Sequence, residues 1–340
     1  MKLSHQVVAL RTKHPFIIAR GGSSEYRVVR VTLTDGDGAT GWGEAAPSAY
    51  YGETADSVIS VLPVLARVLD GADAWSLEAV EHALAKAIRF NGSARAAVSA
   101  ALHDLAAKRL GVPLYRMWGL DPAASPPSSF TIAIAPDEAT LRARVQEAAQ
   151  YPVLKIKLGT SWDARIARIV RELAPDKVLR VDANAAWTTK GALEIIPLLK
   201  ELGVEFVEQP LPAHDLDGLR FVRDRSSLPI VADESCLVAT DIPRLAGVVD
   251  GVNIKLAKCG GLREALRMIA TARAHSMLVM SGCMVESSLG ITAAAQLAPL
   301  LDYADLDGAA LVAKDPYVGA SIDGGVVRIP SAPGLGVSLR

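Results

Sequence analysis

From residue 130 onward, short apolar runs alternate with longer stretches in which apolar residues recur every three or four positions. The runs occupy 130–135, 153–158, 178–183, 204–209, 229–233, 251–256, 277–281 and 303–307. Each is strand length, and each intervening stretch is helix length. Eight strands separated by helices predict parallel βα units. One polar residue can be picked in each run: Thr131 (early in its run), Lys157, Asp182, Glu208, Asp233, Lys255, Ser281 and Asp305. Successive members are 22 to 26 residues apart. A near-constant step places these side chains at one height, and in a closed barrel that height is the C-terminal mouth.

The two-residue period of a strand refines this placement. In Leu154-Lys155-Ile156-Lys157-Leu158 both lysines share one face and the aliphatics the other. Val252-Asn253-Ile254-Lys255-Leu256 divides in the same way, and Asp305 and Asp307 share a face. The aliphatic face must pack on helices, so the charged face points into the barrel.

The N-terminal part reads differently. Strands are expected at 27–34 and 39–45, joined by the hairpin turn Asp35-Gly36-Asp37-Gly38. Helices are expected at 55–68 and 94–110, the second stopped by Gly111 with Pro113 beyond. Its alanine-rich face permits close contact. The Pro-, Ala- and Ser-rich stretch 121–129 is the best linker, giving an α+β unit over 1–125 and a barrel over 126–323.

Lys plus Arg numbers 36 and Asp plus Glu 37 in 340 residues, a balance that argues against nucleic-acid or membrane-surface binding. No apolar stretch reaches the roughly 20 residues of a membrane span. Cys236, Cys259 and Cys283 form no CxxC spacing. With no signal-like segment after Met1, the chain reads as cytoplasmic with free thiols.

Asp182, Glu208 and Asp233 come from three consecutive strands. Taken singly, each could be a helix cap. Three inward carboxylates at matched height repel one another unless a cation joins them, and hard oxygen ligands suit Mg²⁺. Lys157 and Lys255 lie on the second and sixth of eight strands, diametrically opposed. Isolated strand lysines are usually solvated tips. Beside three inward acids, two opposed lysines form a pair of bases able to take a proton from one face and return it to the other.

The set Lys155-Ile-Lys157, Asp182-Ala-Asn184, Glu208-Gln-Pro210, Asp233-Glu-Ser235 and Asn253-Ile-Lys255 followed by Gly260-Gly261 resembles the enolase superfamily, in the branch containing muconate cycloisomerase. The resemblance spans essentially the whole chain. It implies a modified (β/α)₇β TIM-type barrel with an α+β capping domain, residues 1–125, completed by the C-terminal tail 324–340 around Pro333-Gly334-Leu335-Gly336. It also implies one Mg²⁺ per subunit and abstraction of a proton beside a carboxylate through an ene-diolate. Lys155 is then expected to bind the substrate carboxylate, and Thr131 the substrate backbone. A mandelate-racemase-like branch carries His at the seventh strand end. Here that segment reads Ser281-Gly282-Cys283, in keeping with the two-lysine branch.

Asp305-Leu306-Asp307 resembles dipeptide epimerases of the L-Ala-D/L-Glu type, in which the pair receives a free α-ammonium. The expected partner is a small dipeptide, epimerised at its C-terminal residue, and a homo-oligomer is possible. An N-acylamino acid racemase and an o-succinylbenzoate synthase or cycloisomerase remain alternatives on this scaffold. A catalytically silent binding barrel is a third, but it has no use for two opposed bases. Relatives acting on Ala-Glu tend to carry an arginine in the first capping loop. Here the loop is Arg20-Gly21-Gly22-Ser23-Ser24-Glu25, with Arg20 near its base and Gly and Ser at the central positions, so no strong glutamate preference is expected. The second capping loop, 47–54, offers Tyr50 and Tyr51 to an uncharged side chain.

Overall fold

The computed structural model describes residues 1–340. The chain opens with a three-stranded antiparallel sheet of β1 (Lys2–Ile18), β2 (Gly21–Thr34) and β3 (Thr40–Ala45). Helices α1 (Ala55–Leu69), α2 (Leu77–Ala87) and α3 (Gly92–Leu110) follow. The expected strands and helices are all present, and β2 begins six residues earlier than expected. β1 and α2 carry weak patterns in the sequence. Within β1 only Leu10 and Thr12 are buried, and within α2 only Val80, Glu81 and Leu84. An element that buries so few positions shows little periodicity.

The first capping loop also differs from expectation. Residues 21–25 lie in β2, and the β1–β2 hairpin continues through Phe16–Ser23 to Ile18–Gly21 pairing. Gly and Ser give no apolar alternation, so the pairing is invisible until the two strands meet.

α3 has little amphipathic bias because it is buried on all sides. Ala94, Ala97, Val98, Ala101 and Leu105 belong to the core between sheet and helices. Ala96, Ala100 and Ala107 belong to the core of the larger unit. One alanine-rich helix thus serves two cores.

The larger unit is an eight-stranded parallel sheet: β4 (Phe130–Ile132), β5 (Val153–Lys157), β6 (Val178–Asp182), β7 (Val204–Glu208), β8 (Ile230–Ala232), β9 (Gly251–Ile254), β10 (Leu278–Gly282) and β11 (Tyr303–Asp305). It closes where Ser129 N donates to the Ala304 carbonyl at 3.0 Å, beside a parallel bridge between Ser128 and Ala304. Helices follow β4 to β10, and β11 is followed by the single turn Gly308–Leu311, the expected (β/α)₇β pattern. Leu154, Ile156, Leu158, Val252, Ile254 and Leu256 all sit in the core against the helices, as alternation requires. No helix is long and apolar enough to cross a membrane.

The sheet and barrel meet directly. Leu10, Val28 and Ala46 pack on Val285 and Val312. Glu44 of β3 is buried and accepts from both N–H and O–H of Ser287, at the start of the helix after β10. The tail returns to α3 and to the turn just beyond it: Leu335 N donates to Asp104 Oδ1 of α3 at 2.7 Å, and Leu114 N, past the end of α3, to the Gly334 carbonyl at 2.8 Å.

Candidate active site

Strand register sets the heights of the candidate residues. Lys157 lies level with Asp182, and Asp182 level with Glu208. Asp233 and Lys255 stand immediately past the ends of β8 and β9. Two of the eight polar residues are not at this level. Thr131 pairs with Lys155, one layer down. Ser281 pairs with Ile254, which puts it on the helix-facing side, and Gly282 is the inward residue of β10. A Cβ on Gly282 would lie 3.0 Å from Lys255 Cε, so glycine there makes room for the lysine.

Asp182, Glu208 and Asp233 each present an oxygen within 4.8 Å of the others, fully buried. Lys157 Nζ donates to Asp182 Oδ2 at 2.6 Å, and Lys255 Nζ to Asp233 Oδ2 at 2.7 Å. β5 and β9 are four strands apart in a ring of eight, so the two lysines approach from opposite sides. Lys155 lies beneath the cavity wall rather than on it. Its ammonium is 2.7 Å from Glu208 Oε2, 2.7 Å from Asp305 Oδ2 and 3.4 Å from Asp182 Oδ2.

These pairings divide the acids. Burial pushes every carboxyl up, but Lys157 and Lys155 overcome it at Asp182, which falls to about 2. Lys255 and Lys258 hold Asp233 well below the carboxylate range against the same burial. Lys155 also lowers Asp305 against burial, and the other oxygen of Asp305 accepts from Ser129 Oγ at 2.6 Å. Asp307 has no such cation. Its Oδ2 accepts from Thr131 N at 2.6 Å, and burial followed by repulsion from Asp305 raises it to about 7. Glu208 is also raised to about 7, by burial and then Asp182.

The mouth contains orphaned acceptors. Glu234 Oε2, Asn184 Oδ1 and Asn253 Oδ1 are buried without a hydrogen-bond donor, and Glu208 Oε2 has only the Lys155 ammonium, 2.7 Å away and off the hydrogen-bond direction. Arg20 Nη2 stands 2.7 Å from Glu234 Oε1 as an ion pair, off the hydrogen-bond direction. Unpaired buried oxygens carry a large desolvation penalty, and oxygen is the donor a hard divalent cation takes. The residues present therefore fit such an ion.

Several residues here went unassigned in the sequence. Asn253 Nδ2 donates to Glu208 Oε1 at 2.7 Å, Asn184 N to Asp182 Oδ1 at 2.8 Å, and Gln209 Oε1 accepts from Asp233 N at 2.9 Å. All three sit inside the quoted motifs, so their position was the available signal. Lys258 and Ser129 had none. Overhead, Arg20 Nη1 donates to the Asn184 carbonyl at 2.5 Å, and its guanidinium lies 4.2 Å from the centroid of Tyr50. The cavity between, about 550 Å³, is lined by Thr131, Lys157, Asp233, Lys255, Asp305 and Asp307 below, and by Arg20, Gly21, Tyr50 and Tyr51 above.

Residues 2–119 match the model of the mandelate racemase / muconate lactonizing enzyme N-terminal domain, and 138–340 match the enolase C-terminal domain-like model. The chain belongs to the mandelate racemase / muconate lactonizing enzyme family. Within this family it is 41% identical to the L-Ala-D/L-amino acid epimerase of Maribacter sp., covering 100% of both chains. It is 38% identical to the L-Ala-D/L-Glu epimerase of Bacteroides thetaiotaomicron, over 99% of this chain and 88% of the relative. The crystal structure of the dipeptide epimerase from Enterococcus faecalis V583, complexed with Mg and L-Leu-L-Tyr, superposes with a TM-score of 0.94. Identity there is 32%, with 99% of each chain covered.

Proposed function

We propose that this member of the family is a cytoplasmic, Mg²⁺-dependent dipeptide epimerase that inverts the C-terminal residue of its substrate. The observation that carries the reading is Asp307. It is a buried carboxyl on the cavity wall, beside Asp305, with no cation of its own. A substrate ammonium completes it, whereas an anionic or blocked substrate leaves it desolvated. The relatives' names agree with this choice. We take residues 1–125 with 324–340 as the cap and 126–323 as the catalytic barrel, a division supported by the tail's bonds to α3.

In this reading Asp182, Glu208 and Asp233 hold the ion. Bound there, Mg²⁺ polarises the substrate carboxylate and makes the α-proton more acidic. Lys157 and Lys255 take and return that proton from opposite faces. Asp233 and Glu208 keep Lys255 charged against burial while they are its neighbours. With those oxygens committed to other partners, Lys255 loses what retains its proton, the direction a base requires. Lys155, beneath the acids, stabilises charge that develops on the carboxylate. Asp305 and Asp307 hold the amino terminus, with Thr131 beside them. Arg20 is committed to Glu234 and the Asn184 carbonyl, and the loop positions after it are Gly and Ser, so no strong glutamate preference is expected.

The test compares L-Ala-L-Xaa dipeptides, their N-acetyl forms and N-succinylamino acids. N-acetylation is expected to lower kcat/KM by roughly two orders of magnitude or more. Faster turnover of the N-acylated compounds would replace this reading with an acylamino acid racemase.

A further inference from the structure

The geometry points to Lys258 as a positioning residue for the metal site, tying the Asp233 carboxylate to a turn that is braced by the cap. The inference rests on the reading of Asp182, Glu208 and Asp233 as the ion's ligands. The Lys258 side chain is fully buried, and its ammonium meets four oxygens. These are Asp233 Oδ1 at 2.5 Å, the Asp233 carbonyl at 2.6 Å, the Asn253 carbonyl at 2.9 Å and the Cys236 carbonyl at 3.0 Å. Lys258 therefore grips both ends of Asp233 and the backbone of the neighbouring strand. Because Oδ1 is held by Lys258, Oδ2 is the oxygen turned toward Lys255. A flexible aspartate just past a strand end becomes one with a single orientation, as a metal ligand requires.

The turn Leu256–Cys259 that carries Lys258 does not stand alone. It presses on the first residue of α3, where a Cβ on Gly92 would come within 2.4 Å of the Lys258 carbonyl and 2.5 Å of the Ala257 carbonyl. The next residue, Ser93, donates through both N–H and O–H to Glu53, in the loop that lines the cavity roof. The N-terminus of α3 thus touches the lysine's turn on one side and the cavity-roof loop on the other.

Titration calorimetry with Mg²⁺ alone, without substrate, tests this. Wild type and Lys258→Met are compared, with circular dichroism to establish folding. Lys258→Met is expected to raise the Mg²⁺ Kd at least tenfold, and to raise the Mg²⁺ needed for half-maximal activity in parallel. The dipeptide KM at saturating Mg²⁺ should change less than threefold. A folded Lys258→Met protein with a Kd within twofold of wild type overturns the inference. If that variant does not fold, Gly92→Ala decides: it alters no charge and is expected to weaken Mg²⁺ binding at least threefold by displacing the turn. An unchanged Kd in folded Gly92→Ala then overturns it. Wild type that binds no Mg²⁺ would instead refute the metal-site reading itself.

Discussion

Asp233 and Asp307 line one cavity and are equally buried, yet their surroundings push them in opposite directions. Asp233 stands between two ammoniums, Lys255 and Lys258, and is held ionised. Asp307 has a backbone N–H and a neighbouring carboxylate, and rises to about 7. Burial is common to both, so the sign is decided by whether the protein supplies a cation. In the proposed reading Asp182 and Asp233 are kept charged by lysines that an ion would replace, while Glu208 between them rises to about 7. In the same reading Asp307, past β11, receives from the substrate the positive charge that no ion pair of the protein supplies.

The largest effect expected from breaking this contrast lies on the cofactor side. Asp182→Asn, Glu208→Gln or Asp233→Asn should each remove detectable epimerisation, as should a chelator, with Mg²⁺ restoring only the chelated wild type. Normal turnover in a demetallated sample would remove the basis for assigning these acids to a metal.

Next come the lysines. Lys157→Ala and Lys255→Ala should each lower epimerisation by about 10²- to 10⁴-fold. In deuterated water each variant should still exchange the α-proton of one epimer, and the two variants should select opposite epimers. Proton NMR of L- and D-configured substrate reads this directly. Equal exchange of both epimers by either variant would contradict opposed faces.

The smallest effect sharpens the substrate side. A carboxyl near 7 is mostly neutral at pH 6 and ionised at pH 8, so kcat/KM for free-amino dipeptides should rise with pH through about 7. It should fall again as the substrate's own α-ammonium deprotonates near 8. Asp307→Asn should flatten the rising limb and reduce kcat/KM roughly tenfold at pH 8, with little change at pH 6. A rising limb that survives in the variant assigns it to another group.

The sequence was most legible where physics repeats. Eight runs at a steady spacing revealed the barrel. Alternation within the second and sixth runs put Lys155, Lys157 and Lys255 inside, and the structure agrees. Ser281 shows the limit of spacing alone: it kept the interval but lies on the other face of β10, one residue from Gly282. β1 and α2 left little trace because few of their residues are buried.

What the linear chain determined by itself is which chemical groups reach one level of one barrel, since strand period and unit length are local properties. Which group touches which was decided only by the closed structure. Lys155 lies within ion-pair distance of three acids contributed by β6, β7 and β11, and its reach to Asp305 follows from closure of the barrel across β4 and β11. Lys258 reaches Asp233 through a turn with no periodic signal, and Arg20 crosses from the cap to Glu234 over more than two hundred residues of sequence. Electrostatic balance depends on distances of a few ångströms between distant segments, and those distances exist only once the barrel and its cap have packed.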